Sequence, residues 1–439
     1  MSSRGLPARV AAQRVLSSAL FLAVASTAAN VLSYGFNGLM SRQLGPAQFG
    51  RLASLLSVLL VVGVPALALQ AVAARRTSIA RSTASATRLV QQALRVGGLV
   101  TVGLLACTPL LVDFLHVRGL DVLWLALNVV PLLLVGASQG LLQGAERFRA
   151  LGVLFVAAAA GRLVGGLLGL ALGGGVAGVL IGTAAGGAAA AALGLALAPG
   201  WAHGRLTAST REGAPLTKEL AVASGSLLGV VLLTNMDLLL ARHYLSAADA
   251  GAYAVGSLMS KVAFWLPQAV ATIAFPRLAD PARRAEAVRT AVAALLTSGA
   301  VVTLGALALA RPAIHVLGGG SYVGVASSAW LFAASGALLA LSQLLLYARL
   351  ARLDGRVVLA VALVLMLEVL LVVTVEHDSI RQIITTTASC ALLLVVVGAV
   401  AELADLDGEV LEQVVVGDQE LLAAGPPLLD GTAAPRAET

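Results

Sequence analysis

The sequence predicts an all-α polytopic membrane protein: about 12 transmembrane helices in two six-helix bundles, related by a pseudo-two-fold axis along the membrane normal. Three observations predict it. The apolar runs have bilayer-spanning length, the basic loops fall on one side, and a set of landmark residues recurs six spans later.

The runs come first. Of 439 residues, 59% are hydrophobic and 12% charged, whereas soluble domains run at about 45–50% apolar and about 25% charged. Crossing a hydrocarbon core of about 30 Å takes about 20 helical residues. Segments of that length lie at roughly 16–39, 52–71, 96–115, 122–143, 150–172, 176–198, 219–241, 252–275, 288–310, 325–348, 357–375 and 380–400. The basic N-terminus leads into an apolar run without a small-residue cleavage site, so the first run reads as a retained span. Cys107 and Cys390 each sit inside an apolar run and read as core residues.

The loops set the expected orientation. With the N-terminus cytoplasmic, that side collects 20 Lys/Arg before the C-terminal tail and the opposite side six. The positive-inside rule therefore favours cytoplasmic N- and C-termini in a cell membrane. The net charge of +7 divides into +15 over residues 1–400 and −8 over 401–439. Because the basic residues lie in short loops between spans, membrane orientation explains them and no nucleic-acid partner is expected.

The repeat defines the halves. Asn37, Arg42, Gly50, Pro65 and Arg75 are matched by Asp237, Arg242, Gly251, Pro267 and Arg277, in the same order and nearly the same spacing. An offset of six spans keeps both copies in the same orientation, which is the condition for parallel repeats about an axis along the normal. The expected organisation is an N-terminal bundle 1–198, a polar cytoplasmic linker 199–218, a C-terminal bundle 219–400 and an acidic cytoplasmic tail 401–439, with a central cavity between the bundles. Pro65, Pro131 and Pro267 should kink their spans. The glycine-dense fifth and sixth spans carry small-xxx-small spacings for close packing. The basic segment 77–95 reads as a short helix on the cytoplasmic face.

No His/Cys/carboxylate cluster at metal spacing and no GxxxxGK[ST] loop occurs, so neither an enzyme nor a cofactor is expected. Charges at membrane depth stand out instead: Arg162 in "AAAAGRLVGGLLG", Lys261 in "GSLMSKVAFWLP", Asp237 in "LLTNMDLLLAR" and Glu368 in "VVLAVALVLMLEVLLVV". A central charge costs at least about 2.5–3.5 kcal/mol, so these residues should face a bundle interior or a wet cavity. One reading is structural ion pairs inside a bundle. The other is a cationic lining for an anionic substrate, because Arg presents a planar fork to phosphate. On that second reading Arg162 and Lys261, joined by Asn37, Asn235 and Arg42, are the substrate-binding candidates. Asp237 and Glu368 are the candidates for coupling to H+ or Na+.

A family resemblance joins these readings. The stretch "ANVLSYGFNGLMSRQLGPAQFGRLASLLSVLLVVGVPALALQAVAARR" resembles the first two spans of the polysaccharide flippase family, within the multidrug/oligosaccharidyl-lipid/polysaccharide exporter superfamily. Asn37, Arg42, Leu44, Gly45, Pro46, Phe49, Gly50, Pro65 and Arg75 carry the pattern. "QGLLQGAERFRALG" is similar to the family's loop between spans four and five, and the second half fits more loosely. The resemblance implies alternating access across a V-shaped cavity. Its implied cargo is an oligosaccharide on a polyprenyl (pyro)phosphate, with membrane lipids and glycan polymerisation or glycosyltransferase proteins as partners. A cation-coupled drug exporter and a non-transporting scaffold for glycan assembly are the alternatives. Outside the resemblance, aromatics at 4% offer few rings for sugar stacking.

Overall fold

In the computed structural model, residues 6–79, 83–198, 216–265, 284–350 and 356–423 are described, and they are helical with no strand among them. Every expected span lies on a helix, or on two helices joined at a break, over its described residues. Spans 1 and 2 share the run Leu6–Val62, broken at Gly45, whose φ of 71° and ψ of 171° leave the helical region. That positive φ is one glycine adopts freely, and the fixed φ of Pro46 suits the start of the next helix. Span 2 resumes as Val64–Ile79 after a break at Gly63, because Pro65 has no N–H to donate. Span 4 is likewise split, into Gly119–Ala126 and Val129–Gly144, just ahead of Pro131. Pro267 and Arg277 lie outside the described residues.

The repeat reappears in the helix breaks. Span 3 (Thr83–Ala106) ends in a short second helix, Thr108–Leu115, and span 9 (Arg284–Ala308) ends the same way in Ala310–Gly318. Spans 5 and 6 are the unbroken helices Phe148–Ala171 and Gly175–Leu197. Span 7 is Leu216–Leu233 plus Met236–Tyr244, and span 8 is Ala247–Trp265. Span 10 is a 3-10 turn, Gly320–Ser328, leading into Ala329–Leu350. Span 11 is Arg356–Thr374, and span 12 runs on as Ile380–Ala423. Two expectations change. Residues 83–95 are no separate surface helix: they continue unbroken into span 3, where Ala86, Leu89 and Val90 pack on Ala73 and Leu141. Cys390 is buried, but Cys107 is exposed at the break in span 3.

Within the first half, span 5 packs on spans 6 and 1, and span 4 on spans 2, 3 and 6. Within the second half, span 10 packs on spans 8, 9 and 12, and span 11 on span 12. The halves meet where spans 1 and 2 contact span 8, and where the far end of span 2 contacts span 7. Large apolar side chains such as Phe36, Phe49, Leu55, Tyr253 and Phe332 fill the interior. Leu99, Leu168, Leu304 and Met366 point outward, as expected of helices that face lipid. Spans 5 and 6 approach backbone to backbone: a Cβ added at Gly161 or Gly165 would run into the carbonyls of Gly186 or Gly182.

Candidate functional site

A cavity of about 490 Å³ lies between the halves, walled by spans 1, 2, 5, 7, 8 and 10. Five sequence candidates line it: Asn37, Arg162, Asn235, Asp237 and Lys261. Arg42 and Glu368 are not in the lining. Neutral polar side chains, among them Ser33, Ser57, Thr234, Ser257 and Gln343, share the wall with Leu56, Leu60, Leu227 and Val230.

Helix periodicity explains the arrangement. Ser33 and Asn37 sit one turn apart on span 1, and Asn37 Nδ2 donates to the Ser33 carbonyl at 2.9 Å. Ser257 and Lys261 repeat that spacing on span 8. The break between Leu216–Leu233 and Met236–Tyr244 places Thr234 and Asn235 where the helical ladder is interrupted. Lys261 Nζ donates to Asn235 Oδ1 at 3.4 Å. The Asp237 carboxylate, 6% exposed, accepts a hydrogen bond from the Tyr253 hydroxyl at 2.9 Å. Arg162 pairs with no carboxylate among the described residues. Its Cζ lies over the Phe36 ring, 4.7 Å from the centroid. The wall thus carries two cations, Arg162 and Lys261, against one carboxylate, Asp237.

Glu368 lies deeper in the second half and is 1% exposed. Its Oε1 accepts from Thr387 Oγ1 of span 12 at 2.8 Å. A buried carboxylate without such donors would cost several kcal/mol. Spans 7, 8, 11 and 12 therefore converge on a compact set of oxygen groups: Asp237, Tyr253, Glu368 and Thr387.

Arg42 is committed elsewhere. Its Nη2 donates to the carbonyls of His315 and Val316 at 3.0 and 2.7 Å, at the C-terminal end of the short helix that closes span 9. Its repeat partner makes the mirrored contact. Arg242 donates from Nε to Leu115 O at 2.8 Å and from Nη2 to His116 O at 3.1 Å, at the end of the short helix that closes span 3. Each half thus lends an arginine to the carbonyl end of a helix in the other half, where a cation satisfies orphan acceptors and complements the helix dipole. Between these caps the matched glycines meet. A Cβ added at Gly50 would lie 2.8 Å from the nitrogen of Gly251, and one added at Gly251 would collide with the Pro46 carbonyl. Ser41 Oγ donates to Leu317 O, the Tyr322 hydroxyl donates to Ser41 O, and the His243 ring stacks on Phe114 at 4.3 Å. These contacts join the halves at this end of the cavity. Towards the other end, Arg76 Nε meets Glu219 Oε2 at 3.1 Å across the halves.

Phe36, Tyr253 and Thr387 are the neighbours that sequence reasoning missed. Thr387 had a signal, since it belongs to the polar triplet "TTT" of an otherwise apolar span. Phe36 and Tyr253 had none, being aromatic residues in apolar runs.

Comparison with known proteins adds a family and a fold. A family model described as polysaccharide biosynthesis protein matches residues 15–280. No curated protein sequence matches the chain. An inward-facing multidrug resistance MATE family transporter of the MOP superfamily superposes with a TM-score of 0.69 at 13% identity, covering 86% of this chain and 95% of that one. An outward-facing conformation of such a transporter gives 0.63 at 12% identity, covering 89% and 96%. The lipid II flippase MurJ in an inward closed conformation gives 0.67 at 9% identity, covering 87% of each chain.

Proposed function

The chain belongs to the polysaccharide biosynthesis protein family, and from that premise we propose that it moves a polyprenyl-(pyro)phosphate-linked oligosaccharide from the cytoplasmic to the outer leaflet by alternating access. The observation that carries this reading is the interlobe cavity, whose wall holds Arg162, with no carboxylate partner among the described residues, and Lys261, which donates to the Asn235 amide oxygen. A phosphate accepts several charge-assisted hydrogen bonds, and a guanidinium presents them as a planar fork. Arg162 and Lys261 hold the headgroup phosphate. Asn37, Asn235 and the serines offer donors and acceptors to sugar hydroxyls, while the polyprenyl chain stays in the bilayer between the bundles.

The coupling site is the oxygen set around Asp237 and Glu368. Carboxylate and hydroxyl oxygens suit a proton or a hard cation such as Na+ better than a transition metal. Cation binding there biases the equilibrium between the two arrangements of the bundles, because a ligand shifts a population by its differential affinity for the two states. The bundles are 1–198 and 219–400, joined by the cytoplasmic linker 199–218 and followed by the acidic cytoplasmic tail 401–439. Both termini are cytoplasmic in the cell membrane, so the end capped by Arg42 and Arg242 faces outward. Glycan polymerisation or glycosyltransferase proteins are the partners that would supply and consume the cargo.

The test is a leaflet-accessibility assay for lipid-linked oligosaccharide in cells lacking this chain and in cells complemented with it. Outward exposure should fail without the chain and return with it. A cation-coupled drug exporter would instead give a drug-dependent growth phenotype with unchanged glycan exposure. A non-transporting scaffold would sustain exposure with Arg162 and Lys261 neutralised.

A further inference from the structure

We infer that Phe36 is a positioning residue for substrate anion recognition, holding the Arg162 guanidinium over its ring so that the N–H groups stay available to a (pyro)phosphate. This rests on the anionic-substrate reading above and deepens it.

A cation inside a membrane protein needs a counter-group, and the usual one is a carboxylate. A carboxylate would occupy two of the five N–H donors of the guanidinium in a bidentate pair. An aromatic face stabilises the charge through its quadrupole and accepts no such pair. Arg162 has the second arrangement. Its Cζ lies 4.7 Å from the Phe36 centroid, no carboxylate among the described residues pairs with it, and its side chain lines the cavity.

The ring is fixed from behind. Phe36 is 0% exposed and is absent from the cavity wall, although its neighbour Asn37 is part of it. Gly166 stands one turn beyond Arg162 on span 5, and a Cβ there would lie 2.6 Å from Phe36 Cε2 and 3.4 Å from Thr183 Cγ2. Glycine at 166 therefore leaves the space that the ring fills. Spans 1 and 5 pack together, so the ring and the guanidinium arrive from two elements of the same half. The arginine is then set before substrate enters, which spares ordering a flexible side chain at the moment of binding.

The test measures binding of inorganic pyrophosphate to the purified full-length protein in detergent, beside its thermal unfolding. Wild type should bind and Arg162→Ala should not. Phe36→Leu should weaken binding about thirtyfold, the scale of one desolvated cation–π contact. Phe36→Tyr should stay within about threefold of wild type, since it keeps the ring. In the pair Arg162→Ala and Phe36→Leu, the double variant should be no weaker than Arg162→Ala alone, a non-additivity expected when one residue acts through the other. Phe36→Met, longer and more adaptable in shape than leucine, and Gly166→Ala, which displaces the ring, should also weaken binding and serve if Phe36→Leu does not fold. Equal binding by folded Phe36→Leu or Phe36→Met and by wild type, with Arg162→Ala inactive, would overturn the positioning role alone. Absence of binding by wild type would overturn the anionic-substrate reading and this role with it.

Discussion

If the proposed orientation holds, Arg242→Ala should open the end of the cavity that Arg42 and Arg242 cap to the outside more than Arg42→Ala does. Arg242 is 6% exposed and donates to Leu115 O and His116 O at 2.8 and 3.1 Å. A hydrogen bond from a charged group is worth about 1.5–3 kcal/mol, and the buried geometry argues for the upper end. The Arg42 bonds, at 3.0 and 2.7 Å, lie near the surface, where water replaces a lost donor. About 1 kcal/mol is the appropriate figure for them. At about 1.4 kcal/mol per factor of ten, Arg242→Ala should raise the open population roughly hundredfold and Arg42→Ala roughly fivefold. The assay is labelling of Ser57→Cys, a cavity-wall position, by an impermeant maleimide added outside cells, with Cys107 and Cys390 replaced by alanine. Labelling should quicken in the order Arg42→Ala, Arg242→Ala, double variant. Unchanged labelling in all three folded variants would refute the role of the reciprocal caps in closing this end.

Other outcomes follow from neighbouring contacts. Gly251→Val should prevent close approach of spans 2 and 8, because its side chain must occupy the place of the Pro46 carbonyl; the same assay should show fast labelling whatever the state of the arginines. Asp237→Asn and Glu368→Gln should abolish the response of transport to an imposed H+ or Na+ gradient while pyrophosphate binding stays within about threefold of wild type, since Arg162 and Lys261 remain. Thr387→Val removes the donor 2.8 Å from Glu368 Oε1 and should destabilise the protein by about 1–3 kcal/mol, read as a lowered thermal unfolding midpoint.

The spans were legible because burial in lipid imposes one length and one composition on each, and the structure places a helix on every expected run over its described residues. The repeat was legible because its landmarks are residues with strong backbone or charge requirements. Its physical meaning was not: that Gly50 faces Gly251, and that Arg42 and Arg242 exchange caps, depends on which surfaces meet between residues 127 and 273 positions apart in the chain. Arg42 read as a substrate-binding candidate, and the helix end it satisfies, which belongs to the other half, has no signature in the sequence around it. Arg162 announced itself as a charge in an apolar run, whereas Phe36 was one more apolar residue beside many. The triplet "TTT" is polar in an otherwise apolar span, and only packing of span 12 against span 11 gives Thr387 its carboxylate partner.

The proposal that the cavity carries an anionic lipid headgroup is tested most directly by following lipid-linked oligosaccharide exposure on the outer leaflet with wild-type protein and with Arg162→Ala. Arg162→Ala should abolish exposure while protein level and thermal unfolding stay near wild type. Wild-type exposure in a folded Arg162→Ala protein would contradict it, and unfolding of that variant would mark Arg162 as a structural residue instead.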